Sequence, residues 1–165
     1  NGDDAIIDLQ GHDTIVGGAG NDTVIASGAL DNLDPDPEDA SALWDYSEGD
    51  TEGDIVYLGK GDDYGEVGLY DTITGGEGAD AFGVIALNDD APDSAAPILT
   101  DFTPAEDILV LYYTNGVEPV VSFALGASGS VEVLADGQVA AQLTSITSLS
   151  QTADIEVTLI SVYGT

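Results

Sequence analysis

The first half of the chain repeats one pattern of polar and apolar residues every nine positions. Each unit has a glycine-rich acidic part, followed by an apolar residue two positions after an aspartate, as in GGAGNDTVI at 17–25. The alternation of apolar and polar residues predicts a short strand, and the glycines predict a tight turn before it. A fixed period of this kind is typical of a solenoid. The recurring aspartates are Asp4, Asp13, Asp22, Asp31, Asp45, Asp54, Asp63, Asp71 and Asp80.

The second half of the chain loses this period and has longer apolar and alternating segments. VEPVVSFAL, SVEVLADGQVAAQL and DIEVTLISV predict strands, and Asp136-Gly137 between two alternating runs predicts a two-residue hairpin turn. Because the open end of a solenoid exposes its core, we expect residues 84–165 to form a β-rich cap on the repeats. Residues 32–50 interrupt the repeats, and their Asp-Pro and acidic residues predict an inserted loop or short helix.

The charge of the chain excludes several functions. One basic side chain, Lys60, stands against 32 acidic ones, and the formal net charge is −31. Such a chain cannot neutralise phosphates, so we expect neither nucleic-acid binding nor docking on an anionic membrane. Cysteine is absent, which excludes thiolate metal sites. No apolar run is long enough to predict a membrane-spanning helix.

The units resemble the repeats-in-toxin (RTX) nonapeptide, G-G-x-G-x-D-x-U-x with U apolar. LGKGDDYGE at 58–66 and GGEGADAFG at 75–83 carry this motif besides the unit at 17–25. The resemblance implies an all-β protein: a calcium-bound parallel β-roll over residues 1–83, interrupted at 32–50, followed by the β-rich cap. It implies two units per coil and several calcium ions, each between loops 18 residues apart.

The resemblance also implies which residues bind these ions. Besides the recurring aspartates, the implied metal-binding residues are Gly11, Gly18, Gly20, Gly61, Gly76 and Gly78. ILTDFTPAEDILVL at 98–111 is similar to the I-x-D-F…D-x-I-x-L segment that closes RTX modules. From it we expect Asp101 and Asp107 either to ligate a last calcium or to tie the loop.

Electrostatics agrees with this expectation. Stacked coils would hold Asp4 over Asp22 and Asp13 over Asp31, about 5 Å apart. At an effective dielectric constant of about 20, two carboxylates at that distance repel by roughly 3 kcal/mol. Calcium takes six to eight oxygen ligands from carboxylates and carbonyls, so it converts this repulsion into coordination. We therefore expect the fold to require calcium.

Two departures from the motif, and the single histidine, lead to further expectations. Gly65 stands at an apolar U position, which predicts a gap in the core. Asp71 follows Asp63 by eight residues instead of nine, which puts a site between Asp54 and Asp71 in doubt. His12 stands at a variable position of its loop, and we expect it to face solvent rather than bind metal.

The main functional hypothesis is a calcium-binding, calcium-folded module of a secreted bacterial protein. It would support export by type I secretion, and folding and stability outside the cell or at the cell surface. One alternative is a calcium-dependent adhesin, surface-layer or filament subunit. Another is the non-catalytic tail or glycan-binding module of a secreted hydrolase or polysaccharide-modifying enzyme. We expect no catalytic activity from the chain itself. Self-association and membership of a larger polypeptide stay open.

Overall fold

A computed structural model describes five parts of the chain, residues 1–8, 11–27, 52–85, 92–113 and 116–161. The predicted loop or helix at 32–50, and with it Asp31 and Asp45, lies outside the described residues. In the described parts the structure is almost entirely β, with two short 3-10 helices at Asp93–Ala95 and Leu149–Asp154. No helix there is long and apolar enough to cross a bilayer.

The strands form two sheets with mainly parallel pairing. The first sheet is parallel throughout and has the order β1 (Ala5–Ile7), β3 (Thr23–Ile25), β5 (Tyr64–Val67), β7 (Ala81–Ile85), β9 (Ile108–Tyr113) and β13 (Glu156–Ser161). The second has the order β10 (Val121–Leu125), β11 (Val131–Ala135), β12 (Gln138–Leu143), β8 (Ile98–Leu99), β6 (Thr72–Glu77), β4 (Ile55–Lys60) and β2 (Thr14–Ala19). The prediction of an all-β roll with parallel sheets is confirmed.

From β1 to β9 successive strands alternate between the two sheets, so the chain winds through coils with one strand in each sheet. The loops therefore lie along two opposite edges. At one edge the loops lead into the first sheet, and we call this edge the glycine edge. Its loops end at Asp4, Asp22, Asp63, Asp80 and Asp107. At the opposite edge the loops lead into the second sheet, and we call this edge the interrupted edge. Among its described loops, those before β2, β4 and β6 end at Asp13, Asp54 and Asp71.

The register between coils departs from the predicted constant step. Ala5 pairs with Thr23, the predicted 18 residues on, but Thr14 pairs with Ile55. Because the segment 28–51 falls within that coil, the next strand in register begins 41 residues after Thr14 rather than 18. The residue beside Asp13 is Asp54, which precedes Ile55, and the predicted partner Asp31 lies outside the described residues.

Apolar side chains from both sheets fill the space between them. Fully buried examples include Val24, Val56, Ile73, Phe82, Leu99 and Leu109. The predicted gap at Gly65 is absent. A Cβ atom on Gly65 would collide with Cδ1 of Ile73 and would lie 3.1 Å from Cδ1 of Leu58. The missing side chain thus lets two neighbours occupy the space, and the core is closed at this level.

The C-terminal region extends both sheets. Strand β9 pairs with β7 and β13 with β9, while β12 pairs in parallel with β8. Strands β11 and β12 form an antiparallel hairpin in which Ala135 pairs with Gln138, so the predicted turn at Asp136-Gly137 is confirmed. Phe102, Leu111 and Leu143 join the same apolar cluster as the repeats. The boundary at 83/84 stays a prediction, because sheets and core run across it.

Candidate metal-binding edges

A column of stacked carboxylates runs along the glycine edge. In each step the backbone N–H of one aspartate donates to Oδ1 of the equivalent aspartate in the next coil. The steps are Asp4 to Asp22 at 2.8 Å, Asp22 to Asp63 at 2.7 Å, Asp63 to Asp80 at 3.0 Å and Asp80 to Asp107 at 3.0 Å. Each carboxylate is thereby fixed by the coil before it. The expected stacking of Asp4 and Asp22 is confirmed.

Two of these carboxylates have one buried oxygen without a hydrogen-bond donor. Among the described residues, Oδ2 of Asp22 and Oδ2 of Asp63 have no such partner, and the two residues are 2 % and 3 % exposed. Burial raises the pKa of Asp63, and repulsion by Asp22 and Asp62 adds to that rise against the lowering effect of the Asp22 N–H. An uncompensated buried charge costs several kcal/mol unless a cation or donor faces it. These atoms are therefore where a cation is needed.

Glycines bring backbone carbonyls together on the same edge. Gly20, Gly61 and Gly78 all have φ above +120°, a region that residues with a side chain rarely adopt. A Cβ atom on Gly61 would collide with the carbonyl oxygen of Gly20, and one on Gly78 with that of Gly61. The predicted glycines Gly18 and Gly76 line a second column, in which Gly59 lies between them. Carboxylate and carbonyl oxygens, which both lie along this edge, are the kinds of ligand that calcium prefers.

The C-terminal end of this edge is closed by protein donors. Asp101 accepts the N–H groups of Gly75 and Gly76 at 2.9 Å each, one on each oxygen. Oδ2 of Asp107 accepts the N–H of Thr103 at 2.7 Å. Of the two roles expected for Asp101 and Asp107, the structure shows the loop tie. Burial is the main cause that raises the pKa of Asp107 and that of Asp80, the latter to about 6.

A second polar column on the glycine edge escaped the sequence analysis. The residue before three of the five stacked aspartates accepts an N–H from the following coil. Asp3 accepts from Asn21 at 2.9 Å, Asn21 from Asp62 at 3.2 Å, and Asp62 from Ala79 at 3.0 Å. The motif treats this position as variable. The sequence nevertheless contains a signal for this column: three of four units have a short Asp or Asn side chain at this position. Such a side chain can accept a hydrogen bond from a nearby backbone N–H.

The interrupted edge has a shorter column. The N–H of Asp13 donates to Oδ1 of Asp54, and that of Asp54 to Oδ1 of Asp71, each at 2.7 Å. The sequence left the pairing of Asp54 with Asp71 in doubt, and the structure brings them together. Oδ2 of Asp71 accepts the N–H of Gly68 at 2.7 Å. Both oxygens of this carboxylate thus have donors.

One acidic group at the start of this edge includes a residue that the sequence analysis missed. Carboxylate oxygens of Asp8, Asp13 and Asp54 lie within 4.8 Å of one another. Asp8 stands where the complete unit has its first glycine, Gly17. This replacement of a glycine by an acidic residue is the feature of the sequence that could have indicated Asp8. His12 is exposed, as expected, and its Nδ1 contacts the backbone oxygen of Gly53. Gly11, with φ of 122°, lies in the same loop.

The described residues form a parallel β-solenoid with stacked carboxylates along its edges, and two buried oxygens of these carboxylates lack donors among those residues. The model of the RTX calcium-binding nonapeptide repeat family matches residues 1–33 and 70–82, with four copies of the repeat. The chain therefore carries RTX repeats, whose ion is calcium. No curated protein matches the chain.

Proposed function

We propose that the chain is a calcium-folded module of a secreted bacterial protein and that calcium binds along its glycine edge. The observation that carries this proposal is the pair of buried, donor-less oxygens, Oδ2 of Asp22 and Oδ2 of Asp63. They belong to residues held in register by backbone bonds to the coil before. A fold that desolvates two carboxylates in this way is unfavourable alone and favourable when a cation faces them.

The residues that would hold calcium are those that the coils bring together on this edge. Asp22 and Asp63 offer carboxylate oxygens, and the backbone at Gly20 and Gly61 offers carbonyls in the same loops. When bound, calcium supplies the positive charge that the chain lacks. For extracellular-type sites with Kd near 10⁻⁴ M, a tenfold excess of calcium stabilises the folded state by about 1.4 kcal/mol per site. Several sites together decide whether the roll folds.

The charge of the chain supports a role in export. A net charge of −31 with one lysine keeps the calcium-free chain extended through self-repulsion. In the cytosol, where free calcium is low, such a chain stays unfolded and suits passage through a secretion channel. Outside the cell, millimolar calcium folds it. In this proposal the module has no catalytic role of its own, and any enzymatic activity resides in other parts of a parent protein.

A calcium titration followed by circular dichroism tests the proposal. We expect weak β-sheet signal in calcium-free buffer and a cooperative rise with calcium, whereas magnesium, which requires tighter octahedral geometry, should substitute poorly. Full β-structure in excess chelator would contradict the proposal. Light scattering in parallel examines the adhesin or filament alternative, which requires assembly that depends on both calcium and protein concentration.

A further inference from the structure

Asp63 and Asp71 occupy equivalent positions on the two edges, and their carboxylates differ at one oxygen. Both are almost fully buried, at 3 % and 2 % exposed. Both accept a backbone N–H on Oδ1 from the aspartate one coil earlier. They differ at Oδ2: that of Asp63 has no donor among the described residues, whereas that of Asp71 accepts the N–H of Gly68 at 2.7 Å.

The length of the turn explains this difference. Eight residues separate Asp71 from Asp63, instead of the nine of the repeat, so the turn 68–71 has one residue fewer. Tyr70 adopts a left-handed conformation with φ of 66°, and its N–H donates to the carbonyl of Ala95 at 2.7 Å. In a turn this tight the carboxylate of Asp71 reaches back to the N–H of Gly68, as aspartate commonly does in turns.

We infer that Asp71 is a structural residue rather than a calcium ligand, and that the N–H of Gly68 takes the place of a cation at this turn. This inference rests on the proposed function and departs from what the repeat implies for Asp71. In contrast to Asp22 and Asp63, Asp71 has an N–H donor on each carboxylate oxygen, so no buried oxygen of Asp71 needs an external charge. Calcium therefore binds the glycine edge and leaves the step from Asp54 to Asp71 without an ion.

Two isosteric substitutions separate the roles. In Asp63→Asn the amide oxygen still accepts the N–H of Asp22, and an NH₂ group replaces the donor-less oxygen. This variant loses a calcium ligand but no internal hydrogen bond. In Asp71→Asn the NH₂ group faces the N–H of Gly68, so one buried bond is lost. The unfolding equilibrium constant in saturating calcium should then rise about tenfold.

The number of bound calcium ions, measured by equilibrium dialysis, is the decisive readout. We expect Asp71→Asn to bind as many ions as the wild type with a lower urea midpoint in saturating calcium, and Asp63→Asn to bind at least one fewer. In calcium-free buffer, Asp63→Asn should have no less β-sheet signal than the wild type. A loss of one bound ion in Asp71→Asn would overturn the inference.

Hydrogen exchange on the wild type keeps the inference testable if Asp71→Asn does not fold. The amide of Gly68 should be protected in the calcium-loaded protein because Asp71 binds it. Exchange of that amide at the rate of an open chain would overturn the inference. If the wild type binds no calcium at all, the proposed function fails. Protection of the Gly68 amide would then still test the hydrogen bond between Gly68 and Asp71, so the two failures can be distinguished.

Discussion

Among the described residues, five aspartates stack in one column on the glycine edge, and two of them keep a buried oxygen without a donor. On the interrupted edge, three described aspartates stack, and the last has both oxygens bonded. The two edges belong to the same coils and share the same sheets and core. Their difference therefore arises in the loops, where one edge keeps its turn glycines and the other has an insertion and a shortened turn. In the shortened turn, Oδ2 of Asp71 has the N–H donor that Oδ2 of Asp22 and Oδ2 of Asp63 lack among the described residues.

The largest effect should come from the column of glycines on the glycine edge, where equivalent glycines of successive coils are in contact. Gly61→Ala places a Cβ atom against the carbonyl oxygen of Gly20, where the backbone cannot yield without separating two coils. We expect a loss of about 4 kcal/mol or more and failure of calcium-induced folding, measured by circular dichroism. The matched control is Gly18→Ala, which has a similar φ of 120° but nothing within 4 Å of its Cβ, and should cost about 1–2 kcal/mol. Equal effects of the two substitutions would contradict the close packing of carbonyls.

A change in the core should act on both edges alike. Gly65→Ala collides with Cδ1 of Ile73, the flexible end of a side chain, and should cost about 1–3 kcal/mol in urea unfolding with calcium present. Because Ile73→Val removes that methyl group, the double variant should be more stable than Gly65→Ala alone. A stabilising Gly65→Ala would instead indicate the gap that the sequence predicts.

A buried carboxylate away from the edges provides a comparison without calcium. Glu66 is 5 % exposed, and its oxygens accept the hydroxyl groups of Ser27 at 2.7 Å and Tyr64 at 2.9 Å. Tyr64→Phe leaves one oxygen without this donor and should cost about 1–2 kcal/mol in urea unfolding, with no change in the number of bound calcium ions. In Tyr112→Phe, the control, only the contact between the two tyrosine hydroxyl groups is lost, so the cost should be smaller. A fall in bound calcium in Tyr64→Phe would connect Glu66 to the metal sites.

The smallest effect should be a dependence on pH whose sign depends on calcium. Burial raises the pKa of Asp80 to about 6 and also that of Asp63. A carboxyl group whose pKa is higher in the folded than in the unfolded state favours folding when the pH is below its unfolded-state pKa. This contribution to stability disappears as the pH rises through its folded-state pKa. In calcium-free buffer, acidification from about pH 7 to about pH 5 should therefore increase the β-sheet signal. In calcium the same acidification should weaken folding, because protons compete for the carboxylates. The same sign in both buffers would contradict this account.

The period of nine predicted a solenoid, and the resemblance to RTX repeats supplied two units per coil. The parallel roll and the stacking of Asp4 on Asp22 follow from the two together. The hairpin at Asp136-Gly137 follows from local turn chemistry. The partner of Asp13 was not predictable in this way, since a segment inserted within a coil changes the register without changing the motif on either side.

Three other features depend on contacts that a sequence pattern does not contain. The space at Gly65 is filled by Leu58 and Ile73, whose reach depends on how the sheets pack. Asp8 joins an acidic group because the fold brings Asp54 to it from across the insertion. The bond from Gly68 to Asp71 arises from the geometry of a shortened turn. The spacing of eight signalled that this turn was unusual, but not which atom would take the second oxygen of Asp71.

Anomalous diffraction from crystals grown in calcium would test the central claim most directly. The account predicts calcium peaks within coordination distance of Oδ2 of Asp22 and Oδ2 of Asp63, and no peak beside Oδ2 of Asp71, which should remain bonded to the N–H of Gly68. Calcium bound to Asp71, or oxygens of Asp22 and Asp63 surrounded only by protein or water, would contradict it.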